Sequence, residues 1–298
     1  MAKFDEQTFT NWTKPPSDSE QTRLENSERM VRQAIDSDKD LRIKSIQVFC
    51  QGSYANDTNV KLNSDIDINA CYTDGFYYEL PAGMCAKDLD ISPHTSYSFQ
   101  DFKNDIEKSL ENKFGKADII RKNKCITIIG NSYRTQTDVV PTWTFRQYGS
   151  NGRYEEGVAF FSDNFPYERT MNFPKQHIKN GKEKNASTHK RFKRLTRLLR
   201  KVRYEMVDDG LVSDEKITSF LIECLAWNVP NQIFNNYETW TQRLKESISY
   251  IFSQTESEQK CNEWGEVSEL LYLFRGSRKW TYNDVNKYMQ DLWTYLEF

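Results

Sequence analysis

One stretch constrains this chain more than any other: Gly52-Ser53-Tyr54-Ala55-Asn56-Asp57-Thr58-Asn59, followed by Ser64-Asp65-Ile66-Asp67-Ile68. A strand alternates its side chains, so Asp65 and Asp67 share one face while Ile66 and Ile68 share the other. The segment therefore calls for a sheet with one face covered and an acidic face left open. Two carboxylates pointing the same way suit Mg²⁺, a hard cation that takes oxygen ligands and usually also binds substrate phosphates. The plainer reading is that acidic residues at a strand edge are merely solvated. The Gly-Ser pair argues against it. Gly52 permits close backbone approach, Ser53 offers a hydroxyl and an amide, and a helix beginning there would turn free N–H groups toward an anion.

Chemistry on phosphates needs metal charge more than covalent participation by the protein. Two divalent ions about 3.5–4 Å apart activate the attacking oxygen and neutralise the leaving one. Three carboxylates commonly hold such a pair, and the best third is Asp138, in Tyr133-Arg134-Thr135-Gln136-Thr137-Asp138-Val139-Val140. That stretch alternates like a strand, and the following Pro141 is expected to end it, which would place Asp138 near a strand end.

Composition narrows the class. A chain of 298 residues is long enough for a substantial core and for two lobes. Aromatic residues at 14% argue against disorder, and a net charge of −2 provides no global basic field toward nucleic acid or membrane. Six cysteines (Cys50, Cys71, Cys85, Cys125, Cys224, Cys261) are scattered without a CxxC pair, and three histidines (His94, His177, His189) are equally dispersed. Neither pattern supports a zinc site or a disulfide framework. The polar N-terminus lacks the apolar core of a signal peptide, and no apolar run reaches membrane-spanning length. A soluble, cytoplasmic protein is expected.

Along the chain, Ser17 with Glu20 forms a capping-box signature after Pro15-Pro16, which predicts a helix over 17–39. Short β-like runs follow at 43–50, 65–72, 124–129, 134–140 and 157–161, with a helix over 98–114 ended by Gly115. The polar, Gly-containing segment 179–185 reads as a loop or linker. Beyond it, helices are expected near 187–208, 214–228, 236–253 and 281–297. The result is an α+β chain. Its expected parts are an N-terminal segment and long helix (1–40), a catalytic core (41–173) and a helical domain (174–298). The stretch from His189 to Arg203 carries eight Lys or Arg residues among fifteen. Phe192, Leu195, Leu199 and Val202 form a stripe facing the core, so most of these charges are expected on solvent-facing sides, with one or two left for nucleotide.

Taken together, Gln51-Gly52-Ser53-Tyr54, Asn56-x-Thr58-Asn59 and Ser64-Asp65-Ile66-Asp67 resemble the cGAS/DncV-like nucleotidyltransferases of bacterial anti-phage (CBASS) signalling, the CdnE-type members most of all. The resemblance continues through Phe173-Pro174-Lys175-Gln176-His177-Ile178-Lys179-Asn180-Gly181, Phe192-Lys193-Arg194, and Ile217-Thr218-Ser219-Phe220-Leu221-Ile222-Glu223-Cys224 ahead of Asn228-Val229-Pro230-Asn231. It spans roughly residues 20–235 and is more specific than the Gly-Ser pair, which other polymerase-β-like enzymes share.

The resemblance implies a polymerase-β-like lobe with a mixed sheet, a helical lobe and an active site in the cleft between them. It implies catalysis and metal binding by Asp65, Asp67 and Asp138, with two Mg²⁺ ions (Mn²⁺ as a substitute). Triphosphate contacts fall on Gln51, Gly52 and Ser53 and, on the helical lobe, on Ser219. The lysine that such enzymes carry on the long helix is replaced at Arg200, with Lys201 adjacent; the two are not interchangeable, and both are candidates. Asn172 is a candidate base reader, because an amide presents both donor and acceptor to a base edge. The implied reaction joins ribonucleoside triphosphates into a cyclic di- or trinucleotide that activates a partner effector protein. The zinc-bound insertion of the animal DNA-sensing relatives has no counterpart here, so DNA activation is not expected. The rival readings are a linear nucleotidyltransferase acting on RNA, tRNA or protein, and a non-catalytic nucleotide sensor.

Overall fold

The computed structural model describes residues 2–60, 65–91 and 96–298; Ser64 of the acidic motif and His94 lie outside the described residues. The chain starts with α1 (Glu6–Trp12) and α2 (Asp18–Ser37). The capping box forms as expected: the Ser17 N–H donates to the Glu20 carboxylate at 3.0 Å. Next come β1 (Ile46–Gln51), a single helical turn α3 (Gly52–Ala55), β2 (Ile66–Glu79) and α4 (Phe99–Phe114). Ser98 and Asp101 cap the start of α4, and Gly115 ends it at φ +88°, a conformation that favours glycine. The sheet is completed by β3 (Ile119–Arg121), β4 (Ile126–Ile128), β5 (Thr137–Tyr148), β6 (Tyr154–Phe161) and β7 (Arg169–Asn172).

Two compact units result. One comprises Ser17–Tyr54 and Ser64–Pro174; the other comprises Met1–Pro16, Ala55–Asn63 and Lys175–Phe298. The first is built on a mixed sheet in the order β1-β2-β5-β4-β3, with β6 on β5 and β7 on β6. Among the described residues only the β2/β5 pairing is parallel. Ile66, Ile68 and Val139 turn to one face and are buried with Leu24 and Val31 of α2 and Ile106 of α4. The alternation read from Asp65 to Ile68 thus has a physical basis, with helices covering the isoleucine face.

Strand β5 does not stop at Pro141. It continues to Tyr148, with Pro141 opposite Ala70 of β2. Along its other edge β4 pairs through Val139 and β6 pairs from Trp143 onward. The proline falls in the gap between them, where a missing N–H forfeits no ladder bond on that edge. Asp138 accordingly lies near the beginning of a long strand rather than the end of a short one.

The second unit contains α5 (Pro174–Ser187), α6 (Arg191–Asp208), α7 (Ser219–Asn228), α8 (Asn231–Asn235), α9 (Trp240–Gln254), α10 (Glu258–Cys261) and α11 (Tyr282–Tyr295). Phe192 and Leu199 of α6 share its core with Leu225, Leu244 and Val285, and α1 contributes Phe9. The segment 179–185, expected as a loop, lies inside α5. The helix's inward positions are His177, Gly181 and Lys184, which repeat at helical spacing but are not apolar, so hydropathy conceals the period. Gly181 is accommodated beside Phe192 and Val267, and Lys184 donates to the carbonyls of Trp227 and Val229 at 2.6 and 2.8 Å.

The basic stretch also differs from expectation. Lys193, Arg197, Arg200 and Arg203 are buried rather than solvent-facing. Helix α6 is central, and its long arginines reach past the apolar stripe to loop carbonyls: Arg197 to Thr13, Arg200 to Thr58 and Arg203 to Ile217. A guanidinium is buried tolerably when its donors are matched in this way.

Candidate active site

The site in the sheet unit is set by register. Asp67 of β2 stands opposite Asp138 of β5 in the parallel pairing, and Gln51 of β1 stands opposite Asp67 on its other side. Paired residues project to the same face, and Asp65 lies two positions from Asp67, so the three carboxylates share the face opposite the isoleucines. Gly52 adopts φ +65° directly after β1, and a Cβ there would collide with Asp67 Oδ2. Only glycine lets the turn approach this carboxylate so closely. Ser53 follows within α3, and the Tyr54 hydroxyl accepts from Gln21 Nε2 at 3.2 Å.

Each outer carboxylate has its own polar surroundings. Asp65 Oδ2 accepts from Gln136 Nε2 at 3.1 Å. Desolvation by the surrounding protein raises its pKa; the Gln136 bond partly offsets this, and the charge of Asp138 adds to it. Asp138 Oδ1 accepts from the Thr127 hydroxyl of the neighbouring β4 and lies 3.4 Å from Lys122 Nζ. Behind them a polar file continues the same faces. Asn69 donates to Gln51 Oε1 at 3.1 Å and accepts from Thr142 at 2.7 Å. Asn69, Thr127, Lys122, Gln136 and Thr142 were not singled out from sequence. For Asn69 the signal was there, since it extends the two-residue period from Asp65 and Asp67.

Among the described residues no group of three or more His, Cys, Asp or Glu side chains is arranged to hold a metal ion. The donor chemistry nevertheless fits a hard divalent cation. The three carboxylates supply oxygen ligands from one sheet face, and the Asp65 pKa is raised first by desolvation and then by the charge of Asp138, both of which a bound cation would offset.

Asn172, the candidate base reader, is the last residue of β7 and pairs with Val158. Its carbonyl closes against Gly157, where a Cβ would be too near both that oxygen and the Phe173 ring.

In the helical unit, Ser219 opens α7 after the N-cap Thr218, whose hydroxyl accepts from the Leu221 N–H at 3.1 Å. The Ser219 hydroxyl lies 3.0 Å from that of Tyr204 and 3.4 Å from Arg203 Nη1. Arg203, rather than Arg200 or Lys201, is thus the basic residue placed at this serine. Arg200 Nη1 donates to the Thr58 carbonyl and hydroxyl at 3.2 and 3.1 Å, and lies 3.8 Å from Glu223. Lys201 pairs with Glu205 at 2.7 Å on the outer side of the helix. Among the described residues, no helix is long and apolar enough to cross a membrane.

The family model for the cGAS/DncV-like nucleotidyltransferase C-terminal helical domain matches residues 179–297. A cyclic dipyrimidine nucleotide synthase CdnE from Cecembia lonarensis is 59% identical over 298 residues, covering all of both chains. The cyclic dipyrimidine nucleotide synthase CdnE of Legionella pneumophila is 36% identical over 98% of each chain. Among solved structures, the Elizabethkingia meningoseptica CdnE cyclic dinucleotide synthase with GTP and Apcpp superposes with a TM-score of 0.83. That match is at 35% identity and covers 99% of this chain and 100% of the other. A relative this similar over its entire length settles the family: the chain belongs to the cGAS/DncV-like nucleotidyltransferases.

Proposed function

We propose that the protein joins two ribonucleoside triphosphates, pyrimidine nucleotides by preference, into a cyclic dinucleotide with release of pyrophosphate. The observation carrying this reading is the register that sets Asp67 beside Asp138, with Asp65 on the same face and Gly52 against Asp67. The pyrimidine preference rests on the relatives from Cecembia and Legionella, which are dipyrimidine nucleotide synthases. Asn172 is the residue we assign to reading the base edge.

Asp65, Asp67 and Asp138 would hold Mg²⁺, with Mn²⁺ as a substitute. When bound, the ions lower the pKa of the attacking ribose hydroxyl and neutralise charge on the phosphates. Gln51, Gly52 and Ser53 receive the triphosphate through a polar side chain and the free N–H groups of the α3 turn. Thr127 and Gln136 hold Asp138 and Asp65 by hydrogen bonds, which limits their rotamers before substrate arrives. On the helical unit we assign Ser219, whose hydroxyl lies beside that of Tyr204 and the Arg203 guanidinium, as a phosphate contact. The linear intermediate is closed by a second round of the same chemistry. The product then serves as a messenger to an effector protein in anti-phage defence.

The test is incubation of purified protein with all four ribonucleoside triphosphates and Mg²⁺, then phosphatase treatment and mass spectrometry. A phosphatase-resistant cyclic dipyrimidine is expected. The Asp65→Asn/Asp67→Asn variant should lose at least 10³-fold in rate, as expected when metal-centred charge stabilisation is removed. Undiminished product from that variant would overturn the metal assignment, and a linear product would overturn the cyclisation.

A further inference from the structure

The segment between the Gly-Ser turn and the acidic strand is held with unusual thoroughness. Thr58 is fully buried, and its hydroxyl does two jobs, donating to Glu223 Oε2 at 3.0 Å and accepting from Arg200 Nη1 at 3.1 Å. Arg200 also binds the Thr58 carbonyl at 3.2 Å. Arg197 takes the Asp57 carbonyl at 2.5 Å and that of Thr13 at 2.7 Å. The other Glu223 oxygen lies 3.1 Å from His177 Nε2. Against burial, which would raise its pKa, the His177 and Arg200 charges and the Thr58 bond hold Glu223 below the usual carboxylate range. Two helices, α6 and α7, thus clamp a short strap of backbone at Asp57 and Thr58.

The strap is also costly. Asp57 sits at φ +52°, where a residue with a side chain is strained. Asn56 Oδ1, Asn59 Nδ2 and Arg200 Nε are buried and have no hydrogen-bond partner among the described residues. Buried polar atoms left unpaired reduce stability. A fold selected for stability alone would not gather backbone strain and two orphaned polar atoms in one short loop, with a third on the helix that grips it. Such costs concentrate where geometry serves function.

We infer that Arg197, Arg200 and Glu223 are positioning residues that act through Thr58 and Asp57 on the nucleotide-binding turn, with Arg200 serving this role instead of touching phosphate. The chain passes from Ser53 through Tyr54 into Ala55 and the strap, so fixing Asp57 and Thr58 fixes where the turn must end. At the other end the turn follows directly from β1, whose last residue Gln51 is paired in the sheet with Asp67. The turn is therefore constrained from both sides, and a small shift at Thr58 reaches the N–H groups of Gly52 and Ser53. The inference rests on the reading of that turn as the triphosphate contact.

The test is calorimetric binding of a non-hydrolysable UTP analogue with Mg²⁺, at a temperature where each variant is folded by circular dichroism. Thr58→Val keeps the shape and deletes both hydroxyl interactions. It should weaken binding about tenfold, the scale of losing charge-assisted hydrogen bonds. Thr58→Ser should restore wild-type affinity. Arg200→Lys combined with Thr58→Val should be no weaker than the weaker single variant, because both act through one strap. Additive losses would make Arg200 an independent phosphate contact and overturn the inference, as would wild-type affinity in Thr58→Val. If Thr58→Val does not fold, Arg197→Lys, which loosens the Asp57 carbonyl, replaces it with the same two outcomes. Ser53→Pro, which deletes an N–H of the turn at the start of its helix, separates the two ideas in the same assay. Unchanged binding there would remove the triphosphate reading itself, whereas weakened binding there with none in Thr58→Val would remove the strap alone.

Discussion

Gly52 shows how a single position links backbone conformation to chemistry. Its positive φ carries the chain out of β1, and its missing side chain admits Asp67. Gly52→Ala should therefore harm activity far more than folding. The positive φ costs alanine about 1 kcal/mol. The collision with Asp67, by contrast, displaces a carboxylate, and a shift of about 1 Å at a reacting centre is worth about a hundredfold in rate. Product formation and thermal unfolding measured on one preparation check this; equal losses in both would show that the glycine serves the fold alone. The glycine and the two aspartates were legible in the sequence because their spacing is local. Thr127, Lys122 and Gln136 were not, because strand pairing alone brings them to Asp138 and Asp65.

Elements whose buried face is apolar were read well, and those whose buried face is polar were misread. Helices α2 and α4 announced themselves by capping residues and apolar stripes. Helix α5 did not, because its inward side carries His177, Gly181 and Lys184. The buried arginines of α6 were misplaced for the same reason, since their acceptors are loop carbonyls far off in sequence. The Lys184 ammonium caps the end of α7 among the rings of Phe192, Trp227 and Phe234, and burial pulls its pKa down from 10.5 to about 8. Because the folded value lies below the unfolded one, the unfolded chain binds more protons between about 8 and 10.5. The cost of keeping this buried ammonium is present in full below that window and relieved across it. Relative to Lys184→Met, wild-type protein should therefore gain thermal stability as pH rises through the window. A parallel pH dependence in the two proteins would contradict the assignment.

For the molecule as a whole, neither unit is a continuous piece of chain. Helix α1 and the strap belong with Lys175–Phe298, although the sheet unit's segments separate them in sequence. Phe9 is completely buried in the helical core. A fragment of residues 175–298 lacks that ring and the Thr58 partner of Glu223. Losing a buried Phe alone costs about 3–5 kcal/mol, comparable to the whole stability of many domains. The fragment should give poor NMR dispersion and no cooperative melt, and restoring residues 2–60 in trans should improve both. A sharp melt from the fragment alone would show that α1 and the strap are dispensable to that core. Sequence reading placed the composition change at Pro174 but not this interleaving, because periodicity reports which face of an element is buried and not which core receives it.

The interleaving also orders events in time. During synthesis the N-terminal residues emerge first, and domains tend to fold as they emerge. The sheet unit has all its segments by Pro174, carboxylates and Gly-Ser turn included. Phe9, Asp57 and Thr58 leave the ribosome early but meet their partners only when α6 and α7 follow. A nascent chain would therefore carry a finished acidic face while the loop beyond its Gly-Ser turn was still loose. For a nucleotidyltransferase built this way, activity is expected only once α6 and α7 have been made and the loop is anchored.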